Sequence, residues 1–251
     1  MTDANFYKND LERLENSGRR RTLTEAIGRD FSSNDYLALA GSTALRTAAA
    51  EAIARGVGIG SGGSRLLRGN SPEHIALEAD AARFFGSESA LFVGSGYGAN
   101  SLILSTLPQR DDLVLHDALI HASAHEGMRL SRAPCQSFAH NDVDAAADAI
   151  KQWRARGGRG TPWIAIETLY SMDGDIADIN QLAHLSQQHD AWLMIDDAHG
   201  LGVLGEHGAG CVEGFDSHAV PILVGTLGKA LGTAGAFVAG DAALIEHLTQ
   251  F

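Results

Sequence analysis

Lys229 closes the stretch Gly225-Thr226-Leu227-Gly228-Lys229, which follows an apolar run over 220–224. Upstream, a second apolar run over 191–195 ends in Asp196-Asp197-Ala198-His199. Two strand-like segments thus deliver charged side chains at their C-terminal ends, where open α/β sheets bind ligands. An amine between glycines and a small hydroxyl, with a carboxylate and an imidazole on a neighbouring strand, suits a cofactor that carries an aldehyde. The amine forms an imine, the carboxylate keeps a ring nitrogen protonated, and hydroxyls and amides take a phosphate. These residue types point to pyridoxal phosphate chemistry.

Such residues need a scaffold of strands and helices. Residues 1–30 are polar and amphipathic and predict one helix ending near Gly18. The segment 31–39 reads as a short strand and turn, 44–55 as an alanine-rich helix, and 56–70 as a glycine loop. Ser71-Pro72-Glu73 sets an N-cap serine before a proline at the first helical position, opening a helix to about Phe85. Beyond it, strands are expected at 90–93, 113–116, 136–138, 163–167, 192–195, 222–224 and 236–239. Helical patterns at 97–107, 120–129, 143–155 and 179–189 fall between them. The expected fold class is α/β: a mostly parallel seven-stranded sheet with helices on both faces, and a short N-terminal segment. Residues 1–40 read as that segment of helix and strand, and 41–251 as the cofactor-binding large domain.

Composition narrows the partners. The 251 residues carry a formal charge of −12, which argues against nucleic acid and anionic membranes. The 29 glycines cluster at 56–63, 94–98 and 200–214, a pattern of close backbone approach to a ligand. Cys135 and Cys211 stand in no metal or redox spacing, which fits a reduced, cytoplasmic chain. The polar stretch 1–10 is no signal peptide. No apolar stretch reaches the roughly 18–20 residues of a membrane span.

Several motifs admit other chemistry. Gly94-Ser95-Gly96-Tyr97-Gly98-Ala99 fits a dinucleotide fingerprint, with Asp117 near the place of a ribose-binding acid, so a nicotinamide-dependent oxidoreductase is the alternative of a different class. A helix N-terminus, however, takes any phosphate, and Tyr36, Tyr97 and Tyr170 have no lysine four residues on. A P-loop fails, because Leu223 and Ala230 stand where it needs glycine and a hydroxyl. Asp196, Asp197 and His199, with His121 and His125, are metal-ligating types but lack a metal-binding pattern, so no metal is expected. Ser171 lies in Ser171-Met172-Asp173-Gly174-Asp175, a turn that sets a hydroxyl at a strand end beside Asp196.

Taken in order, eight segments resemble the α-oxoamine synthase family of pyridoxal phosphate enzymes. They are Ser33-Asn34-Asp35-Tyr36-Leu37, Gly60-Ser61-Gly62-Gly63-Ser64-Arg65, Ser95-Gly96-Tyr97-Gly98-Ala99-Asn100 and His121-Ala122-Ser123. Then come Phe138-Ala139-His140-Asn141-Asp142, Ser171-Met172-Asp173-Gly174, Asp196-Asp197-Ala198-His199-Gly200 and Thr226-Leu227-Gly228-Lys229. The glycine loop, Ser-Gly-Tyr and His-Asn-Asp are most similar to the branch that joins L-alanine to a pimeloyl thioester in biotin-ring assembly. Thr-Leu-Gly-Lys-Ala-Leu-Gly also occurs in the sister glycine C-acetyltransferases. Ala38, and Ala230-Leu231 after the lysine, depart from the usual pattern.

The resemblance implies roles. Lys229 would carry pyridoxal 5'-phosphate and act as the base, Asp196 would pair with the pyridine nitrogen, and His199 would bond the ring hydroxyl. His121 would stack on the ring and face the substrate. Gly96, Tyr97 and Thr226 would bind the phosphate, Ser171 would sit near the ring oxygen, and Arg19, or Arg20 or Arg21, would meet the acyl substrate. The substrates would be L-alanine and a pimeloyl thioester of coenzyme A or a carrier protein, and the assembly a homodimer. Family members also carry a small C-terminal domain, with an arginine for the amino-acid carboxylate and a threonine reaching the partner's phosphate. Nothing here matches it, and 241–251 stops at helical spacing without a capping glycine. A fragment that binds but turns nothing over is therefore a further alternative.

Overall fold

The computed structural model describes residues 4–25 and 27–251. The chain divides into two units, residues 1–33 and 34–251. In the first, α1 (Asn5–Asn16) ends ahead of Gly18, whose φ of 65° and bond to the Glu15 carbonyl close the last turn.

The strand expected within 31–39 is absent. Asp35 Oδ1 accepts the Leu39 amide at 2.8 Å, and Ala38 takes a left-handed φ of 52°. A carboxylate that bonds amides four and five residues ahead folds the segment into turns instead. The helix α2 (Thr43–Ala54) follows, its N-terminus capped by Ser42 Oγ on the Leu45 amide. The glycine loop ends in a π-helical turn, Arg65–Gly69, before α3 (Pro72–Phe85).

Seven strands follow: β1 (Ser89–Val93), β2 (Leu113–Asp117), β3 (Cys135–Phe138), β4 (Pro162–Glu167), β5 (Trp192–Asp196), β6 (Ile222–Thr226) and β7 (Ala236–Gly240). Their order is β1-β7-β6-β5-β4-β2-β3. Only β7 runs antiparallel to its neighbours β1 and β6, so the mostly parallel sheet is as expected. The helices α4 (Gly96–Thr106), α5 (Ala122–Leu130), α6 (Val143–Ala155), α7 (Ile179–Gln188) and α8 (Ala242–Gln250) complete the unit.

Alternation along the strands makes two cores. Leu115, Ile164, Ile166, Leu193, Ile195 and Leu223 pack beneath α6 and α7. Val114, Trp163, Ala165, Met194, Ile222 and Val224 pack beneath α4, α5 and α8. At the free edge, Glu78 Oε1 accepts the Phe92 amide at 2.8 Å and Arg65 Nη1 donates to the Phe92 carbonyl at 3.1 Å. This ion pair supplies the backbone partners that a further strand would, and blunts the edge.

The same alternation selects the site. Four neighbouring parallel strands end in Asp117, Glu167, Asp196 and Thr226, all buried. By parity Glu167, Asp196 and Thr226 share the α4/α5 face, and Asp117 turns to the α6/α7 face. The helices α4 and α5 meet closely: a Cβ on Gly127 would lie 2.9 Å from Leu104 Cβ and 3.0 Å from the Asn100 carbonyl. Gly127→Ala is therefore expected to lower stability by about 1–3 kcal/mol, the usual range for overpacking. A denaturant titration checks it, and an unchanged midpoint would mean that α5 shifts freely.

Candidate active site

Lys229 lies in the tight connection between β6 and β7, where the Leu227 amide bonds the Gly235 carbonyl at 2.9 Å. That closure points Lys229 back at the strand ends. Its Nζ stands 2.7 Å from His199 Nε2, and Tyr36 Oη stands 2.8 Å from His199 Nδ1. Tyr36 in turn donates to Asn34 Oδ1 at 3.1 Å. The direction of the chain sets the tautomer: His199 Nε2 accepts from the lysine and Nδ1–H donates to the tyrosine. His199 stays neutral for a physical reason, since burial first, and the Lys229 charge second, pull its pKa to about 4. Burial likewise lowers the Lys229 amine below the ordinary lysine range, against the pull of Asp196 and Glu167.

Asp196 is buried and its carboxylate is aimed by two donors. Asn100 Nδ2 reaches Oδ2 at 2.6 Å, and the Ala198 amide reaches Oδ1 at 2.9 Å. Asn100 Nδ2 also donates to Ser123 Oγ at 2.9 Å, and that hydroxyl stands 2.8 Å from His121 Nδ1. A continuous polar chain thus links His121 to Asp196 through α4 and α5. His121 is the N-cap of α5 rather than part of an i, i+4 helical pair with His125, because Asp117 bonds the Leu119 and Ile120 amides and keeps 118–121 in a turn. His125 packs edge-on against His116 instead, ring centroids 5.0 Å apart. Among the described residues, no group of three or more His, Cys, Asp or Glu side chains could hold a metal ion.

The fingerprint turn opens α4, with Ser95 Oγ accepting the Gly98 amide at 3.0 Å. The amides of Gly96 and Tyr97 have no acceptor among the described residues, and the helix dipole adds positive potential there. Thr226 closes the cradle: a Cβ on Gly96 would lie 3.6 Å from its Oγ1. Asp117, the would-be ribose acid, is fully buried and accepts from Leu119, Asn141 and His140. Its burial keeps it from a ribose hydroxyl, which removes the basis of the dinucleotide reading.

Ser171 is exposed in the loop after β4, closed by the Tyr170 amide on the Asp175 carbonyl, and is not bonded to Asp196. Arg19 lies in the first unit, its amide on the Leu14 carbonyl. The polar pattern by itself missed Tyr36, Asn100, Ser123 and Glu167. Glu167 had a readable signal, since it ends its strand just as Asp196 and Thr226 do. Burial first, then the neighbouring Asp196 charge, push its pKa to about 7 from an ordinary 4.5. The folded chain therefore holds this proton where the unfolded chain releases it, and loses stability as pH rises from about 4.5 to about 7. Glu167→Gln, which does not ionise, is expected to match the parent at pH 4 and exceed its denaturation midpoint at pH 8. Parallel curves at both pH values would contradict a protonated Glu167.

Asp197 faces the other way. Thr168 Oγ1 donates to its Oδ1, and a Cβ on Gly210 would fall 2.0 Å from Oδ2, so a glycine with φ of 94° stands there. The carboxylate thereby fixes the 200–210 loop that follows His199.

The aminotransferase class I and II family matches residues 27–251, and the chain belongs to that family. The 8-amino-7-oxononanoate synthase of Chromohalobacter salexigens is 47% identical over 224 residues, covering 88% of this chain and 57% of that protein. The crystal structure of 8-amino-7-oxononanoate synthase from Francisella tularensis superposes with a TM-score of 0.73 at 31% identity, over 88% of this chain and 61% of that one. Serine palmitoyltransferase from S. paucimobilis, with a bound PLP–myriocin aldimine, superposes with a TM-score of 0.83 at 25% identity, over 98% of this chain and 65% of that one. These relatives bear out the resemblance to the α-oxoamine synthases and the expected fold class. The chain spans about 57% of the length of the curated relative it matches.

Proposed function

We propose that this protein binds pyridoxal phosphate at Lys229 and condenses L-alanine with a pimeloyl thioester, of coenzyme A or a carrier protein. The products would be 8-amino-7-oxononanoate, carbon dioxide and the free thiol, a step of biotin biosynthesis. The observation that carries this reading is a desolvated lysine amine 2.7 Å from a neutral histidine, in a site whose carboxylate is Asp196. The residues fit the cofactor by their chemistry. Two open amides and the Thr226 hydroxyl suit a phosphate, Asp196 suits a cationic ring nitrogen, and Lys229 suits an aldehyde. Asn100 Oδ1 is buried without a partner among the described residues.

When bound, the cofactor supplies an electron-withdrawing ring that stabilises negative charge at the amino-acid α-carbon. The rest falls to the chain. Asp196, held by Asn100 and Ala198, keeps its charge aimed at the ring nitrogen position. His199, fixed as the Nδ1–H tautomer by Tyr36, would bond the ring hydroxyl. The Lys229 amine, held below the ordinary lysine range, takes the α-proton of alanine at Nζ and later returns it. His121 would face the ring and the substrate, the amides of Gly96 and Tyr97 would hold the phosphate, Ser171 would sit near the ring oxygen, and Arg19 would meet the acyl chain, as the resemblance implies. The same reading makes residues 41–251 the large domain of a cytoplasmic homodimer that needs no metal, nucleic acid or membrane.

Purified protein supplied with pyridoxal phosphate, L-alanine and pimeloyl-coenzyme A should release thiol and carbon dioxide in equal amounts. Faster release with glycine and acetyl-coenzyme A would reassign it to the glycine C-acetyltransferases. No amino-acid-dependent thiol release from either pair would overturn the reading.

A further inference from the structure

The His140-Asn141-Asp142 triplet has no part in the chemistry above, yet its first two residues form a polar cluster outside the site. His140 Nδ1 stands 2.8 Å from Asp117 Oδ1, and its Nε2 stands 2.8 Å from Asp175 Oδ2. A neutral imidazole has one N–H and satisfies only one carboxylate; two carboxylates on opposite nitrogens require the imidazolium. Asn141, held at φ 55°, adds its backbone amide to Asp117 Oδ2 at 2.8 Å and its side-chain amide to Asp175 Oδ2. The Tyr170 ring packs edge-on against His140, centroids 4.5 Å apart, and its hydroxyl accepts the Glu167 amide at 3.4 Å. The other oxygen of Asp175 is buried with no partner among the described residues, so His140 is the principal charge opposing it.

The cluster joins two loops that matter. Asp117 bonds the Leu119 and Ile120 amides and so fixes the turn that delivers His121. Asp175 and Tyr170 are the closing pair of the loop that carries Ser171, through the Tyr170 amide on the Asp175 carbonyl at 3.0 Å. His140 touches both anchors.

We propose that His140, bridged as an imidazolium between Asp117 and Asp175, is a positioning residue that holds the His121 turn and the Ser171 loop in register, and that its deprotonation releases both together. The importance of those loops rests on the function proposed above; the coupling itself does not. Burial pulls the His140 pKa down, but the hydrogen bonds and charges of Asp117 and Asp175 outweigh it and the net shift is upward. The sign follows: the bridge contributes fully below the ordinary imidazole pKa of 6.5 and is lost as pH rises through the raised value. The groups facing His140 are Asp117 from β2, Asp175 and Tyr170 from the loop after β4, and Asn141 beside it. Glu167 is the remaining titrating neighbour, by way of Tyr170.

The test needs no cofactor. Histidine side-chain NMR of the protein across pH 6–9 follows the His140 ring, while amide hydrogen exchange follows 119–123 and 169–176. Both segments should lose protection together as His140 loses its proton, beyond the ordinary rise of exchange with pH. His140→Gln should show the unprotected state already at pH 6. Asp175→Asn, at a partly exposed position, keeps the fold and should move the midpoint to lower pH. Glu167→Gln should leave the transition in place. A His140 that stays neutral throughout, segments that open independently of it, or an Asp175→Asn midpoint unchanged would overturn the proposal. Failure of the functional reading would look different: no turnover, with the linked opening intact.

Discussion

Lys229→Ala is expected to abolish covalent attachment of pyridoxal phosphate and to lower turnover by about 10³-fold, within the usual range for loss of a proton-transferring group. The variant removes the amine and leaves His199 Nε2 without its partner at 2.7 Å. The Lys229 charge is one of the causes that depress His199, second to burial, so the His199 pKa should rise from about 4 in the variant. Histidine NMR thus confirms a folded site independently of activity. Absorbance of the protein after gel filtration reports the cofactor. A variant whose cofactor borohydride still fixes to the polypeptide would place the covalent attachment elsewhere.

Asp196→Asn should cost about 10²- to 10³-fold in turnover, the size found when one preorganised electrostatic partner is removed. The substitution preserves shape, but its single amide oxygen can accept from only one of the two donors that now meet the carboxylate, Asn100 Nδ2 at 2.6 Å and the Ala198 amide at 2.9 Å. The other donor is left unpaired, so stability should fall by about 1–3 kcal/mol. Asp196→Ala strands both donors and should destabilise by more than Asp196→Asn does. Both variants lose the charge, so a similar loss of turnover with a larger loss of stability in Asp196→Ala would assign the turnover effect to the charge. The asparagine variant also removes a cause of the raised Glu167 pKa, which should fall below about 7. Thiol-release kinetics read the first effect and carboxyl NMR the second. Equal turnover in Asp196→Asn and the parent would show that no ring charge is stabilised there.

Much of this was readable because strand ends and glycine turns have local causes. The apolar runs before Asp196 and Thr226 dictate buried parallel strands, and their last residues must emerge at one edge of the sheet. Ser95 and Gly96 announce a helix start by capping chemistry alone. What stayed hidden depends on contacts across long sequence distances. Tyr36 meets His199 163 residues away, and Asn100 meets Asp196 96 residues away. No periodicity encodes such pairs. The segment 31–39 misled for a local reason: its apolar residues suit a strand, but Asp35 bonds the amides ahead of it and the chain turns. His121 misled more subtly, because the helical pattern begins before the turn that Asp117 enforces.

The most direct test is borohydride reduction of the protein incubated with pyridoxal phosphate, followed by peptide mass mapping. A stable pyridoxyl group on the peptide containing Lys229, and on no other lysine, is the result expected. An unmodified Lys229 peptide from protein that has bound the cofactor would contradict the account.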